Sequence, residues 1–165
     1  MSKLLMSACL LGEKVRYDAK DCLQTHTRLK QYIEDKRVVT ICPEMAGGLP
    51  TTRPPAEIEP QGHAAAVLRF EAKVLTKHGE DVSHEFRKGA QKALALAQKH
   101  GIRCAILKAR SPSCGSGQVY DGSHSKKLID GMGVTAELLS QHDIKVFDET
   151  EIDAALDYIE EMGVC

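Results

Sequence analysis

Residues 103–117 read RCAILKARSPSCGSG, an apolar run that passes directly into a loop of small and polar residues. A short apolar run bounded by turn-forming residues is typical of a buried β-strand. The loop contains Cys114, although a structural cysteine is more often buried as a small hydrophobe. The stretch therefore predicts a core strand, with a reactive sulfur on the loop that follows it.

Helical patterns flank this strand in the sequence. Residues 82–101 form the clearest helix, because their apolar residues recur at steps of three and four, Asp81 or Ser83 can cap the start, and Gly101 ends it. Beyond a polar loop over residues 109–131, the pattern predicts a helix, a strand and a final amphipathic helix. These three segments are VTAELLSQH (134–142), IKVFDE (144–149) and EIDAALDYIEEM (151–162), the last built on Ile152, Leu156 and Ile159.

The first part of the chain shows the same alternation. KLLMSA (3–8) and RVVTIC (37–42) are predicted strands. Between them, residues 25–35 are a predicted helix with one apolar face, made of Leu29, Tyr32 and Ile33. Strands that alternate with helices indicate an α/β fold, here a single domain over residues 1–165 with about four mostly parallel strands flanked by helices.

Two segments do not fit the alternation. Residues 43–57 hold four of the six prolines and a Gly-Gly pair, so we expect neither helix nor central strand there, but a long functional loop. HAAAVLRF (63–70) and KVLTK (73–77) flank Glu71 and Ala72 and suggest a small inserted β-hairpin, although no Asn-Gly or Asp-Gly turn marks it.

Charge and composition exclude several functions. The net charge is −1, there is no basic run, and the chain has no Trp and three Phe, which argues against a nucleic-acid partner. No apolar run approaches the ~20 residues of a membrane span, and the apolar N-terminal stretch is too short for a secretory signal of roughly 15–30 residues. We therefore expect a cytoplasmic protein without a membrane partner.

The chain contains six cysteines, and in the cytoplasm we expect them to be reduced thiols. No two form a C-x-x-C, so the spacing does not support a zinc ribbon or a thioredoxin-like motif. Cys22, Cys104 and Cys165 are expected to have structural roles, since Cys104 begins a core strand and Cys165 is terminal.

The other three cysteines follow predicted strands. Cys9 ends the first strand, Cys42 ends the second, and Cys114 lies a few residues past the third. Ligands of open parallel sheets bind beyond the carboxyl ends of the strands, so these thiols can converge there. Each of them taken singly is more often a buried hydrophobe, but their shared position favours a ligand set. Three thiolates suit zinc or an iron–sulfur cluster with one open iron, and the spacing does not distinguish the two.

Polar residues on the same loops are candidate site residues. Glu44 lies two residues after Cys42 and can act as a general acid or base beside a cofactor. Ser111 and Ser113 can form turns or orient a substrate. The candidates for holding an anionic or carbonyl-bearing substrate are Arg16, Arg53 and Lys108, with Asp18 and Glu57 as weaker candidates.

Several common motifs are missing from the sequence. There is no G-x-x-x-x-G-K-[ST] phosphate loop, no H-E-x-x-H, and no H-x-E before a P-C-x-x-C. The GMGVTA segment is too short for a dinucleotide fingerprint.

The motifs SACLLGEKVRYD, CPEMAGGLPTTRPPAE, LKARSPSCGSGQVYDG and GMGVTAELL together resemble the bacterial 2-thiouracil desulfidase family over nearly the whole chain. The pair Asp18-Ala19 departs from the family pattern, in which a Gly follows Asp or Asn. That departure can alter a turn but leaves the cysteines in place.

The resemblance implies that Cys9, Cys42 and Cys114 hold a [4Fe-4S] cluster whose fourth iron has no protein ligand. It also implies catalytic roles for Glu44 and Ser111, and the conversion of 2-thiouracil to uracil and hydrogen sulfide. In this mechanism the open iron binds the substrate sulfur and Glu44 activates water, while Ser111, Ser113, Lys108, Arg53 and Asp18 are candidates for contacting the thiolated nucleobase.

Two alternatives remain at this point. One is a sulfur transferase that uses the same cluster on another thiolated base, such as one in tRNA; the missing basic surface and phosphate loop argue against it. The other is a non-enzymatic iron–sulfur or metal-binding protein, in which a Glu and a Ser beside the ligands would have no function.

Overall fold

The fold is described from a computed structural model, which covers residues 2–13, 16–18 and 26–162. In chain order its elements are β1 (Leu4–Ser7), α1 (Thr27–Glu34), β2 (Val38–Ile41), α2 (Pro43–Ala46), β3 (Ala56–Ile58), α3 (Ala64–Leu68), β4 (Val74–Thr76), α4 (Ser83–Lys99), β5 (Cys104–Leu107), β6 (Gln118–Tyr120), β7 (Leu128–Asp130), α5 (Val134–Gln141), β8 (Lys145–Asp148) and α6 (Ile152–Met162). A short 3-10 turn, Ala8–Leu11, directly follows β1.

The central sheet has four parallel strands in the order β2-β1-β5-β8. β1 pairs with β2 on one side, with Leu4 opposite Val38, and with β5 on the other side, with Leu5 opposite Ala105. The chain thus runs from β1 to β2 on one side of β1, and it later returns to place β5 on the other side of β1. The predicted α/β fold with a parallel sheet of about four strands is confirmed.

Alternating side chains of the sheet build a core on each face. Leu4 and Met6 of β1 pack in the cluster that contains the buried residues of α1 and α6. Leu5 points the other way, into the cluster that contains Ala97 of α4 and Leu139 of α5. This alternation is the expected consequence of the two-residue period of a strand, and it places helices on both faces.

The predicted helix over residues 82–101 is confirmed as α4, which has 17 residues. Its buried face includes Phe86, Ala90, Ala93 and Ala97, and Gly101 follows with a φ of 63°. Within the part of the chain that the structure describes, no helix is both long and apolar enough to cross a membrane.

Two expectations for the helices need correction. Of the apolar face predicted for α1, Leu29 and Tyr32 are buried, but Ile33 is 42% exposed. Residues 43–57 were expected to contain no helix, yet α2 begins at Pro43. Proline is well tolerated in the first turn of a helix, where its missing N–H would have no intrahelical partner.

The predicted hairpin over residues 63–77 is wrong in its first strand. Residues Ala64–Leu68 form the helix α3, which is capped by His63 through a hydrogen bond from Ala66 N to His63 Nδ1 of 3.2 Å. A short apolar run cannot be assigned to strand or helix from its period alone. A small antiparallel hairpin does exist, but there β4 pairs with β3, which precedes α3. A second antiparallel pair, β6–β7, lies inside the predicted polar loop over residues 109–131.

Candidate active site

The three cysteines that follow predicted strands line one cavity of about 350 Å³. Cys9 lies in the 3-10 turn after β1, Cys42 is the N-cap residue of α2 after β2, and Cys114 lies on the loop after β5. Since β2, β1 and β5 are neighbours and parallel, their carboxyl ends meet at one edge of the sheet. The cavity is at this edge, where open α/β sheets bind their ligands.

The buried thiol of Cys114 is held in an environment that disfavours its charged form. Burial raises the pKa of Cys114 to about 12, against a hydrogen bond with Ser7 that lowers it, and the charges of Cys42, Glu44 and Cys9 raise it further. Burial also raises the pKa of Cys42. A thiolate at Cys114 is therefore disfavoured unless a cation binds beside it.

The cysteines surround the cavity but do not gather at a single point. As placed in the structure, no three of the described His, Cys, Asp or Glu side chains converge on a ready-made site for a single metal ion. An iron–sulfur cluster takes each thiolate at a different iron and therefore needs thiols that are spread around a cavity.

A tight turn positions Cys114. Ser111 Oγ accepts hydrogen bonds from the backbone N–H groups of Ser113 (3.1 Å) and Cys114 (3.0 Å), and Gly115 N donates to Ser111 O (2.9 Å). Gly133, at the start of α5, touches the same loop so closely that a Cβ there would lie 2.4 Å from Ser113 C. Ser111 lines the cavity, and it also fixes the turn that holds Cys114.

Ser113 does not have the position expected of a substrate contact. Its side chain is 1% exposed, and its Oγ lies 2.7 Å from Thr135 Oγ1 in α5. Its carbonyl oxygen accepts hydrogen bonds from the N–H groups of Thr135 and Ala136. Ser113 therefore anchors the loop to α5, and its hydroxyl is directed away from the cavity.

Glu44 and Arg53 form a buried pair at the cavity. Arg53 Nε donates to Glu44 Oε1 at 3.1 Å, and the two side chains are 5% and 17% exposed. Burial raises the pKa of Glu44, while the charge and hydrogen bond of Arg53 oppose that rise. The guanidinium also donates to the carbonyl oxygens of Pro50 and Thr51. Arg53, expected as a substrate contact, thus holds the carboxylate of Glu44 in place.

Lys108 lines the cavity and is paired with a residue that the sequence did not suggest. Its Nζ lies 2.9 Å from Glu149 Oε2, and Glu149 Oε1 accepts a hydrogen bond from Ala109 N at 2.7 Å. Burial of Glu149 acts to raise its pKa, but the bonds from Lys108 and Ala109 outweigh it, and the net pKa is lowered. Glu149 directly follows β8, and that position beside β5 is the signal that could have identified it.

Ser7 is a second residue at the cavity that the sequence did not suggest. It is 3% exposed, and its Oγ accepts a hydrogen bond from Lys108 N at 2.9 Å. Together with its bond to the Cys114 thiol, this contact joins the ends of β1 and β5 at the cavity. The feature of the sequence that could have identified Ser7 is its position as the last residue of β1, two residues before Cys9.

The remaining predicted residues are distributed as follows. Arg16 lines the cavity, and Glu57 does too, but Asp18 is in an isolated bridge with Thr52 and is not among the lining residues. Cys104 is a core residue, as expected, and its thiol is 3.8 Å from Ala155 O. Ala19, Cys22 and Cys165 lie outside the described residues.

Two glycines fix the position of α2, and with it Cys42 and Glu44. A Cβ on Gly47 would lie 1.9 Å from Glu85 O, and a Cβ on Gly89 would lie 1.9 Å from Pro43 O. The backbones of α2 and α4 therefore touch at a distance that no other residue permits.

A parallel α/β sheet with three thiols and a buried carboxylate at the carboxyl ends of its strands defines a class of protein with a sulfur-lined site. The family to which the chain belongs within that class follows from its similarity to known proteins. The sequence model of the 2-thiouracil desulfurase family matches residues 4–151. The chain belongs to this family.

Individual relatives agree with this assignment. The "Uncharacterized protein YbbK" of Bacillus subtilis (strain 168) is 41% identical over 153 residues, which cover 93% of this chain and 99% of that protein. The solved structure of the [4Fe-4S]-dependent thiouracil desulfidase TudS is also 41% identical in sequence, and it superposes with a TM-score of 0.87. The match covers 97% of this chain and 99% of the TudS chain.

Proposed function

We propose that this protein is a thiouracil desulfidase that works with a [4Fe-4S] cluster held by Cys9, Cys42 and Cys114. The observation that carries the proposal is that these three thiols, from three adjacent strands, line the same cavity as the buried Glu44. The family and the structural relative, both named for thiouracil, support a thiolated nucleobase as the substrate. A cytoplasmic location, in which thiols stay reduced, is part of the proposal.

The donor set fits such a cluster. Thiolates are soft ligands that select iron–sulfur clusters, and within the described lining of the cavity there is no fourth cysteine. The cluster, when bound, would supply an open iron that attracts the thiocarbonyl sulfur and withdraws electrons from the adjacent carbon.

Glu44 is the group that we assign to proton transfer. Its carboxylate takes a proton from the water that attacks the thiocarbonyl carbon, and returns it to the departing sulfur. The hydroxyl group left on that carbon loses its proton as the carbonyl forms, and this second proton converts the hydrosulfide into hydrogen sulfide. The carbon–sulfur bond breaks and a carbon–oxygen bond forms, so thiouracil and water give uracil and hydrogen sulfide with no net redox change. Burial raises the pKa of Glu44, which helps it to hold the proton between these two transfers.

Ser111 and Lys108 are assigned to substrate orientation. Ser111 Oγ already accepts two backbone hydrogen bonds, so its hydroxyl hydrogen is the group that it can offer to a ring acceptor. Lys108 places a positive charge at the cavity, where its pairing with Glu149 fixes the ammonium position.

The test is anaerobic reconstitution with iron and sulfide, followed by incubation with 2-thiouracil. We expect visible charge-transfer absorption, about four irons and four acid-labile sulfides per chain as a [4Fe-4S] cluster requires, and release of sulfide. Cys114→Ser should lose both absorption and turnover. Cys104→Ala, which removes a core thiol outside the cavity, is the matched control and should keep both.

Two results would contradict the proposal. A colourless protein that takes up one zinc and no iron would exclude the cluster. A fully loaded protein that releases no sulfide from thiolated bases would exclude the desulfidase activity.

A further inference from the structure

The hairpin β6–β7 forms part of the cavity rim. The hairpin and its tip, defined here as residues 121–127, contribute Tyr120, His124 and Lys126 to the lining. No substrate role is predicted for these side chains, and the proposed desulfidase reaction does not use them. The hairpin is therefore a part of the cavity wall that is distinct from the loops that carry the cysteines.

The root of the hairpin is fixed to the loop that carries Cys114. Gly131 N donates to Gly117 O at 3.0 Å, and Gly133 N donates to Gly115 O at 2.7 Å. These bonds join both ends of the hairpin to the Cys114 loop. A change at the tip can therefore leave the position of Cys114 intact.

The tip is a locally ordered unit. Asp121 N donates to Lys127 O at 2.9 Å, and Asp121 Oδ1 accepts hydrogen bonds from Ser123 N (2.9 Å) and Ser123 Oγ (2.6 Å). Because these bonds lie within the tip, they order it internally without attaching it to the rest of the protein.

Glu57 of β3 attaches the tip. Its Oε1 accepts hydrogen bonds from Gly122 N at 2.9 Å and His124 N at 3.2 Å, and its Oε2 lies 3.6 Å from His124 Nδ1. The side chain of Glu57 is 11% exposed. A carboxylate that accepts two backbone N–H groups from another element makes a strong, directional contact.

Gly122 shows how closely the tip lies on β3. Its φ is +93°, and a Cβ there would be 2.4 Å from Ile58 O. β3 is itself held by antiparallel pairing with β4. The tip thus packs directly on a strand that is paired within its own sheet, and contact this close requires a glycine.

We propose that Glu57 is a positioning residue that holds the hairpin tip against β3 and so sets the shape of the cavity rim around the substrate. Glu57 acts through the tip and needs no contact with the reacting atoms. Its effect on substrate affinity rests on the proposed desulfidase function, whereas its effect on the hairpin does not.

The first measurement is hydrogen exchange on the cluster-loaded protein. In Glu57→Ala, we expect the amides of Gly122 and His124 to exchange at least about tenfold faster than in the unmodified protein, because their acceptor is gone. Glu57→Gln keeps a carbonyl oxygen that can accept both bonds. In this variant the exchange rates of the Gly122 and His124 amides should stay within about threefold of those in the unmodified protein. Asp130→Asn removes an exposed carboxylate from the same hairpin and should change nothing.

The second measurement separates KM from kcat for thiouracil. We expect Glu57→Ala to raise KM by about tenfold and to change kcat by less than about threefold, with iron content unchanged. Gly122→Ala, which forces the tip off β3 without touching Glu57, should reproduce both the faster exchange and the higher KM. If Glu57→Ala folds poorly, Gly122→Ala takes its place as the test of the proposal.

The possible outcomes are distinguishable. Normal protection of Gly122 and His124 in both Glu57→Ala and Gly122→Ala would overturn the proposal, and so would faster exchange with an unchanged KM. If the unmodified protein has no desulfidase activity, the proposed function fails, while the exchange result still decides whether Glu57 holds the hairpin.

Discussion

At the scale of single residues, the site depends on side chains that keep others in place. Arg53 holds the carboxylate of Glu44, and Ser111 holds the turn that bears Cys114. The CPE motif was sufficient to suggest Glu44 as an acid or base, because its distance from Cys42 is fixed by local sequence. The partner of Glu44 could not be deduced, since a buried ion pair depends on how two loops fold back on each other.

Glu44→Gln tests the assigned proton transfer. The amide cannot take a proton from water, so we expect sulfide release to fall by about 10²–10⁴-fold, the usual contribution of general acid–base catalysis. The iron content and visible absorption should be unchanged, because Gln can still accept a hydrogen bond from Arg53. Sulfide release from 2-thiouracil by the reconstituted protein is the measurement.

Glu80→Gln is the control for this change, since Glu80 is an exposed carboxylate outside the cavity lining. Turnover of Glu44→Gln equal to that of the control would remove Glu44 from the mechanism. Loss of iron in Glu44→Gln would instead assign it to cluster loading.

At the scale of elements, the crossing of α2 and α4 places the second cysteine. The contact is made by Gly89 of α4 and by Gly47, which directly follows α2, and a Cβ on either glycine would collide with a backbone carbonyl of the opposite helix. The period of α4 predicted its length and buried face, but it gave no indication that Gly89 faces α2. Similarly, the apolar run in residues 63–70 was compatible with strand or helix until its place beside β3–β4 was known.

Gly89→Ala tests this crossing. By helix propensity alone, alanine should stabilise the middle of α4 by about 1 kcal/mol. Because its Cβ would collide with Pro43 O, we expect the opposite sign, a loss of about 1–3 kcal/mol, measured as the free energy of unfolding in denaturant. Cluster loading should also fall, since α2 carries Glu44 and begins directly after Cys42.

The matched change is Gly117→Ala, where a Cβ would meet no atom within 4 Å. It should leave stability and iron content close to those of the unmodified protein. If Gly89→Ala proved as stable and as well loaded as Gly117→Ala, the contact between the two helices would not determine the position of Cys42.

At the scale of the whole molecule, the strand order brings the site together. β1 lies between β2 and β5, so the three strands that precede the cysteines are neighbours in the sheet. A cluster bound to all three loops would therefore connect parts of the chain that are far apart in sequence. Binding to the folded state alone stabilises it by mass action.

Removal of the cluster should lower the thermal stability of the protein. We expect the Tm of the loaded protein to exceed that of the apoprotein by about 5–10 °C, as for a ligand near 100-fold above its Kd in a chain of this size. Anaerobic melting of both forms measures the difference. Cys114→Ser should show no such increase after the same reconstitution, and an equal increase would mean that iron binds elsewhere.

The amino-acid sequence by itself determined the alternation of strands and helices, the parallel α/β class, and the three cysteines that follow strands. These features depend on local periodicity and on the spacing of residues along the chain, and short stretches of sequence contain both. The tertiary structure decided that Ser113 faces α5, that Lys108 pairs with Glu149, that Glu57 reaches the β6–β7 tip, and that α3 is a helix. Such contacts join residues up to 67 positions apart, as for Glu57 and His124. They depend on which elements become neighbours once the sheet has formed, and no local pattern of residues contains that information.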